Sequence, residues 1–494
     1  MFQLVLLASN RVSDLKASSP GVPVTSQSGI ALVVLAAGRG TRMRSALPKP
    51  LHPVAGVPMV EWVLRAGAAL MPDQVRVVVS PDLENLPTRL GLGSTVRAVV
   101  QETPRGTGDA VRIALASLDH VDWVVVLYAD HPLLTGEVVK ALLATAREGR
   151  ALLALLTCHL PEPAMYGRIE RDARGRPVRV IEWRDDEPSA RRSGSEINSG
   201  MMALDARWGK GALARIQPSE TTGELYLPDL LPLAVASEVE GEPWPVTTLA
   251  AGPEVAVGIN DRIELSVADS RAREAIRRRH MSAGVTIVGP ETVFIDEDVT
   301  IGPDTTVLPG TLLLGGTSIG SGCVIGPHAI IGDAHVGDRV LVNASTVRQS
   351  VIGSGSDVGP YAHLRAGTLV AEGAHIGNFV ELKNSEVRQG AKVGHVSYLG
   401  DATVGARANI GAGTITANFD GFVKHRTEIG EDAFVGCDAQ LIAPVRIGAR
   451  ARVGAGAVVT RDVPDGATVV GMPARIIRHE PGNVERQTVD SEEV

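Results

Sequence analysis

Residues 352–376 read Ile352-Gly-Ser-Gly-Ser-Asp-Val358-Gly-Pro-Tyr-Ala-His-Leu364-Arg-Ala-Gly-Thr-Leu-Val370-Ala-Glu-Gly-Ala-His-Ile376, with an aliphatic residue at every sixth position. The same step runs through Ile429, Val435, Leu441, Ile447, Val453 and Val459. Shorter runs occur at Ile319, Ile325 and Ile331, and at Val404 and Ile410. A period of six matches neither an α-helix nor an alternating strand. It fits a coil with flat faces, each carrying one inward aliphatic side chain. Three faces close a turn of about 18 residues, and turns stack about 4.8 Å apart as parallel strands. Glycines suit the corners, where dihedrals are unusual, and 31 of the chain's 54 glycines fall between residues 283 and 478. A narrow prism has little room for rings, which accounts for an aromatic content of only 3%. The step breaks between Gly411 and Ile429, so Ala412 to Glu428 is expected to leave the coil as a loop. A hexapeptide coil alone is most often a scaffold or trimerisation stem. Polar residues gathered at the break point instead to a site.

The preceding half is built differently. Ile30–Leu35, Val75–Val79 and Trp123–Tyr128 are short, continuously apolar runs, and a helical stretch lies near Val60–Leu70. Strands apolar on both faces and separated by helices predict a mostly parallel, Rossmann-like α/β sheet. Ligands of such sheets bind at the carboxyl ends of strands, where Gly38 and Asp130 both fall. Gly38 and Gly40 let backbone N–H groups approach an anion. Arg39, Arg42 and Lys49 crowd the same stretch, an arrangement suited to a phosphate chain. No Gly-Lys-Ser/Thr closes a Walker A loop, and Met43 stands where a dinucleotide fingerprint has its third glycine. A bare Gly-x-Gly is most often a plain turn; Leu47-Pro-Lys-Pro50 shifts that balance.

Composition narrows the classes further. A chain of 494 residues implies two or three domains. No apolar run reaches the ~18 residues of a membrane helix. A net charge of −8 argues against a general nucleic-acid binder. Cys158, Cys323 and Cys437 are too few and too scattered for a disulfide framework, so a reducing cytoplasm is expected. Asn260–Ser282 reads as a helix capped by Asp261 with Glu264, and its arginines read as a solvated face. The expected organisation is an extension at 1–29, a nucleotidyltransferase domain at 30–259, a connecting helix at 260–282, a coil at 283–478 and an unstructured tail at 479–494.

Leu35-Ala-Ala-Gly-Arg-Gly-Thr-Arg-Met43 followed by Leu47-Pro-Lys-Pro-Leu-His52 resembles the signature of the sugar-1-phosphate nucleotidylyltransferases. Gln101, Gly106-Thr-Gly-Asp-Ala110, Tyr128-Ala-Asp-His-Pro-Leu133, Tyr166-Gly-Arg-Ile169, Glu182, Glu196-Ile-Asn-Ser-Gly200 and Asn260 follow in that family's order. The resemblance implies nucleotide or sugar-nucleotide contacts from Leu35, Ala36, Ala37, Gly38, Lys49, Gln101, Gly106, Thr107, Tyr128, Asp130, Gly167, Glu182, Asn198 and Asn260. It promotes Asp130 and Asn260 to ligands of Mg²⁺, a hard cation that takes oxygen donors. Ala129 departs from the glycine usual there.

Ala362-His-Leu-Arg-Ala-Gly367, Gly377-Asn-Phe-Val-Glu-Leu-Lys383, Gly394-His-Val-Ser-Tyr-Leu-Gly-Asp401 and Asn409 to Asp420 resemble the acetyltransferase half of the bifunctional enzymes that make UDP-N-acetylglucosamine. That resemblance implies a left-handed parallel β-helix, a homotrimer and acetyl sites lined by neighbouring subunits. An isolated histidine is most often a surface or satisfied imidazole; here His395 matches the family's base, and an imidazole is suited to take a proton from an ammonium near neutrality. Arg365 and Lys383 would neutralise a sugar phosphate, and Tyr398 and Asn409 would orient the sugar. Asn418 would position the base or amine, and the Phe419 N–H would meet the oxyanion. Ala412, Asn418, Phe419, Cys437 and Ala455 are the implied acetyl-CoA contacts. Phe419 replaces a common tyrosine and Cys437 a common serine.

Together these imply acetylation of glucosamine-1-phosphate from acetyl-CoA. Transfer of UMP from UTP to N-acetylglucosamine-1-phosphate follows, with Arg42 and Lys49 as electrostatic stabilisers. Two rivals stand beside this reading. One is a monofunctional nucleotidyltransferase whose coil only trimerises or regulates. The other is a non-catalytic exchange subunit of the translation-factor type, against which Arg42, Lys49 and Asp130 argue.

Overall fold

The computed structural model describes residues 29–161, 166–182, 195–256 and 258–479. The expectations for residues 1–28 and 480–494 fall outside these. The chain divides into two compact units between Ala272 and Arg273, within the helix Arg262–Ser282. No helix among the described residues is long and apolar enough to cross a membrane.

The first unit is built on a nine-stranded sheet. Its strands are β1 (Ile30–Leu35), β2 (Gln74–Val79), β3 (Val96–Val100), β4 (Trp123–Tyr128), β5 (Leu153–Leu160), β6 (Arg168–Arg171), β7 (Pro177–Ile181), β8 (Ser195–Asp205) and β9 (Val246–Ala250). The main order is β9-β5-β8-β4-β1-β2-β3, with β6 paired to β8 and β7. β1 is parallel to both β2 and β4, whereas β8 runs antiparallel to β4 and β5. Ala31 to Val34 are at most 1% exposed. Apolar clusters cover both faces of the sheet, which is why the central strands lack a polar alternation. The register sets Leu35 opposite Tyr128, so the turns after β1 and β4 lie side by side at one carboxyl edge.

The helix Arg262–Ser282 is capped by Asp261, whose Oδ1 accepts from the N–H groups of Ile263 and Glu264 at 2.9 Å. Glu264 bonds back to the N–H of Asn260 at 2.5 Å, one residue earlier than an ordinary capping box would have it.

The second unit is a parallel β-helix whose three faces are sheets of 12, 10 and 9 short strands. Every aliphatic residue of the six-step points inward; Leu364, Ile376, Val435, Leu441 and Ile447 are fully buried. Glycine next to the inward residue has a second cause besides corner dihedrals. A Cβ on Gly377 would stand 1.7 Å from the carbonyl oxygen of Gly394, one turn on. Corners themselves often do without glycine: Tyr361, Phe379, Val396 and Asp438 all hold positive φ.

The break in the period is shorter than its sequence suggests. Ile415–Ala417 and Thr427–Ile429 remain coil strands, paired to the next turn. Only the stretch from Asn418 to Arg426 projects. The apolar pattern hides this because fully buried Thr414 and Thr416 take inward positions. Their hydroxyls donate to the carbonyls of Gly411 and Gly400, at 2.7 and 3.1 Å, so the buried polar groups are satisfied.

Candidate functional site

The carboxyl edge of the first sheet holds an open cleft with an empty volume of about 850 Å³, counting solvent at its mouth. Leu35, Ala36, Ala37 and Gly38 form one wall, continuing β1. Lys49, Gln101, Gly106, Thr107, Tyr128 and Asp130 line it too, whereas Gly167, Glu182, Asn198 and Asn260 are not among its lining residues. The two signature glycines do different things. A Cβ on Gly38 would meet nothing within 4 Å, leaving its backbone open to a ligand. A Cβ on Gly40, at φ +57°, would lie 2.5 Å from the Lys49 side chain, so this glycine admits the lysine.

Lys49 donates to Asp130 Oδ2 and, at 3.2 Å, to Asn260 Oδ1. Asp130 and Asn260, far apart in the chain, thus aim two oxygens at one cation. Burial alone would raise the Asp130 pKa, but the His131 hydrogen bond and the nearby His131 and Lys49 charges outweigh it and hold the carboxyl well below the usual range. Burial keeps the Tyr128 phenol neutral by pushing its pKa well up, against a hydrogen bond with Thr107. Gln101 is buried and its Nε2 donates to Gly106 O at 3.2 Å and Asp109 Oδ2 at 3.1 Å, fixing the amide.

Other expected residues lie behind or beside the cleft. Gly167 packs against Glu182 and Val180, and the Asn198 N–H donates to the Gly167 carbonyl at 2.8 Å. A Cβ on Gly200 would fall 2.9 Å from the Tyr128 ring, which is why β8 carries glycine there. Arg42 is exposed on the turn Thr41–Met43 and is not among the cleft-lining residues. Arg39 instead lines a neighbouring groove shared with Gly38 and Lys49.

Sequence reasoning missed Glu224 and Tyr226, which close the cleft from a distant loop. Their only sequence signal is indirect. Gly106 must lack a side chain because Leu225 O would lie 2.5 Å from its Cβ. Two braces were missed as well. The Nδ1 of buried His131 meets Asp130 Oδ1 at 2.9 Å, and the Tyr166 hydroxyl accepts from the Gly258 N–H at 3.1 Å.

In the second unit His395 is exposed at the end of the strand Lys392–His395, and its Nδ1 lies 2.7 Å from Asn378 Oδ1 of the preceding turn. With Nδ1 donating, Nε2 keeps a lone pair for a substrate proton. Round the corner, Arg365 and Lys383 stand one turn apart. Arg365 is paired to Glu381 at 2.8 Å, while Lys383 sits beside Lys424 from the projecting loop, whose ammonium lowers its pKa. The Tyr398 hydroxyl lies over Gly400, where a Cβ would be 2.5 Å away. Asn418 is buried and donates to Asp401 Oδ2 at 2.6 Å; Asn384 holds the other oxygen at 2.6 Å. These contacts lower the Asp401 pKa against its partial burial.

The register Val393–Ile410–Val435–Val453 sets Ala412, Cys437 and Ala455 on the three turns after His395 at the equivalent position. They form a straight column about 14 Å long from the histidine. Exposed Phe419 starts the loop and bridges to Lys424. Asn409 is opposite Lys392, three positions short of His395 along that face, so one chain does not bring it to the Lys383 patch.

Comparison with known proteins agrees with both halves. Residues 32–183 match the family described as MobA-like NTP transferase domain. Residues 298–333 and 426–461 match the bacterial transferase hexapeptide family of six repeats. The chain is 42% identical over 450 residues to the bifunctional protein GlmU of Alkalilimnicola ehrlichii, covering 91% of this chain and 95% of that protein. It is 40% identical to the protein of that name from a Synechococcus strain, over 91% and 97% of the two chains. The Lactococcus lactis protein is 43% identical over 89% and 94%. Nothing in these matches supports a chain in which only the first half is an enzyme. With its nucleotidyltransferase sheet followed by a left-handed hexapeptide β-helix, the chain belongs to the family of bifunctional GlmU proteins.

Proposed function

We propose that the chain works as two separate catalysts, with residues 30–259 as the uridylyltransferase domain and 283–478 as the acetyltransferase domain. The second acetylates glucosamine-1-phosphate from acetyl-CoA. The first transfers UMP from UTP to the N-acetylglucosamine-1-phosphate so made, giving UDP-N-acetylglucosamine and pyrophosphate. The observation that carries the first half of this reading is the meeting of Asp130, Asn260 and Lys49 beside a backbone open at Gly38.

Two oxygens already directed at one cationic nitrogen suit Mg²⁺, and Asp130 and Asn260 would hold it. Among the described residues no cluster of three His, Cys, Asp or Glu side chains competes for a metal. Bound there, Mg²⁺ supplies charge neutralisation at the phosphate chain. Lys49 would then turn its ammonium to the phosphates, with Arg42 on the turn Thr41–Met43 as a second electrostatic stabiliser. Gln101 and Thr107 offer fixed polar groups to the base, and the N–H groups of residues 37–38 receive the phosphates. Gly167, Glu182 and Asn198 form the sugar side.

In the acetyltransferase, Arg365 and Lys383 bind the sugar phosphate, and the loop cation Lys424 supports them. Tyr398 orients the sugar. His395 takes the ammonium proton at Nε2 while Asn378 holds Nδ1. The free amine attacks the thioester carbon, the Phe419 N–H stabilises the oxyanion, and its collapse breaks the C–S bond and expels the coenzyme thiolate, which takes the proton held by His395. Ala412, Cys437 and Ala455 line the coenzyme along the column, with Asn418 anchored through Asp401. The distance of Asn409 from this patch along one chain favours a homotrimer in which a neighbour supplies it. A second feature supports that assembly. Exposed Tyr361, Phe379 and Val396 hold positive φ on successive turns beside His395, and the two rings stack at 5.3 Å. A β-branched residue in that conformation is strained, and an exposed apolar column suits a subunit contact. A cytoplasmic location fits two buried free thiols, Cys158 and Cys323, and one exposed, Cys437.

The test supplies UTP, acetyl-CoA, glucosamine-1-phosphate and Mg²⁺, then withholds each. Asp130→Asn is expected to abolish Mg²⁺-dependent pyrophosphate release and spare thiol release. His395→Ala is expected to do the opposite once N-acetylglucosamine-1-phosphate is supplied directly, so that the uridylyl step does not depend on acetylation. Loss of both activities in either variant refutes two independent sites.

A further inference from the structure

We propose that His131 is a positioning residue for the uridylyl reaction: it holds one oxygen of Asp130, so that the carboxylate presents only the other to the cation, and it ties Asp130 to the segment carrying Asn260. The proposal rests on reading Asp130 and Asn260 as the Mg²⁺ ligands.

The ring is 4% exposed and stands between two oxygens. Nδ1 lies 2.9 Å from Asp130 Oδ1, and Nε2 lies 3.2 Å from the Ala256 carbonyl. Asp130 Oδ2 is thereby left to the cation position that Lys49 now fills. The same ring closes over Gly258, where a Cβ would come within 2.9 Å of His131 Cε1. Gly258 is in turn fixed by the Tyr166 hydroxyl at its N–H, and its carbonyl accepts from Asn260 Nδ2 at 3.2 Å. The Ile259 N–H donates to the Asp130 carbonyl at 2.9 Å. The ring thus lies against both ligand-bearing segments, 125 residues apart at His131 and Ala256; with one N–H it donates to one of the two oxygens, Asp130 Oδ1 in the role proposed.

A ligand carboxylate pinned by an outer partner loses rotational freedom before the cation arrives, and such partners commonly matter about 10–100-fold in metal affinity. If His131 only filled space, a polar residue of similar length would serve wherever its hydrogen-bonding group fell. The positioning role predicts dependence on which nitrogen is kept. Asparagine reproduces a donor near Nδ1 and reaches Asp130; glutamine reproduces one near Nε2 and reaches Ala256 only.

The probe is Mn²⁺ alone, titrated against the full-length protein and followed by the paramagnetic resonance of the free ion. No turnover is involved. His131→Asn is expected to bind within about 3-fold of the parent. His131→Gln is expected to bind about 10–100-fold more weakly and to raise the Mg²⁺ requirement of UDP-sugar formation in the same ratio. Equal binding by the glutamine variant and the parent overturns the proposal, as does equal weakening in both variants. Asp130→Asn separates the two failures. If it weakens Mn²⁺ binding while His131→Gln does not, the positioning role alone falls. If it binds as the parent does, the metal reading falls and the proposal with it. Thermal unfolding of both His131 variants checks that the sheet is intact.

Discussion

Gly377→Ala tests how the coil supports its chemistry. Gly377 lies in the strand His375–Asn378, directly above the strand that ends at His395. Its added Cβ would be 1.7 Å from the Gly394 carbonyl oxygen, where contacts under 3.0 Å do not occur. The obstacle is backbone, so no side-chain rotation relieves it, and the two turns must part by more than an ångström. Three hydrogen bonds lie within reach of that displacement. They are His375 N–H to Ala391 O at 2.9 Å, Val396 N–H to Asn378 O at 2.9 Å, and the Asn378–His395 side-chain bond at 2.7 Å. At about 0.5–1.5 kcal/mol each, their loss amounts to about 1.5–4.5 kcal/mol. For a unit of roughly 200 residues that lowers its Tm by about 3–18 °C. The assay is differential scanning calorimetry together with both product assays. Acetyl transfer should fall with the Tm, while UDP-sugar formation from supplied N-acetylglucosamine-1-phosphate should persist. An unchanged Tm with undiminished acetyl transfer would refute the close-stacking account of these glycines.

Asn378→Ala removes the partner of His395 Nδ1 without disturbing the coil; kcat for acetyl transfer should drop about 2–13-fold, toward the low end because water can replace the amide at an exposed ring. A kcat equal to the parent's removes Asn378 from the reaction. Burial pushes the Cys158 thiol up to about 11, so a thiol reagent near pH 8 should label Cys437 in the folded protein and Cys158 only on unfolding; rapid native labelling of Cys158 contradicts its packing. The Asp420 carboxyl is held down at about 2 by the Val423 N–H first, then by His425 and the Phe422 N–H. A depressed folded pKa means the stability it lends the loop is complete above about pH 4 and lost as pH falls through about 2. Amide exchange in residues 418–426 should quicken across that window, and unchanged protection at pH 1.5 would contradict the contact.

The coil was legible because its period is set by local geometry. Each inward position must be small and aliphatic, and the stacked backbone leaves no space beside it, so Gly377 and its counterparts recur in phase. The pattern lost the coil at Thr414 and Thr416, whose buried hydroxyls find carbonyl partners that a hydropathy pattern does not contain. In the first half the apolar strands located β1, β2 and β4, and the parallel sheet then implied their shared carboxyl edge. Antiparallel β8 carried no such mark, since a strand buried on both faces looks alike in either direction.

For the sites, residue type and order alone picked out the side chains proposed to carry the chemistry: Lys49, Asp130 and Asn260 in one unit, His395, Arg365 and Lys383 in the other. Tertiary structure decided their company. It brought Lys49 between two oxygens far apart in the chain, placed His131 behind Asp130, ran Ala412, Cys437 and Ala455 into line with His395, and left Arg42 on an exposed turn. A sequence records what each side chain can donate, accept or bury. Which atoms come within 3 Å of one another depends on strand register and on close approaches such as those at Gly106, Gly258 and Gly377, and these exist only once the chain has packed.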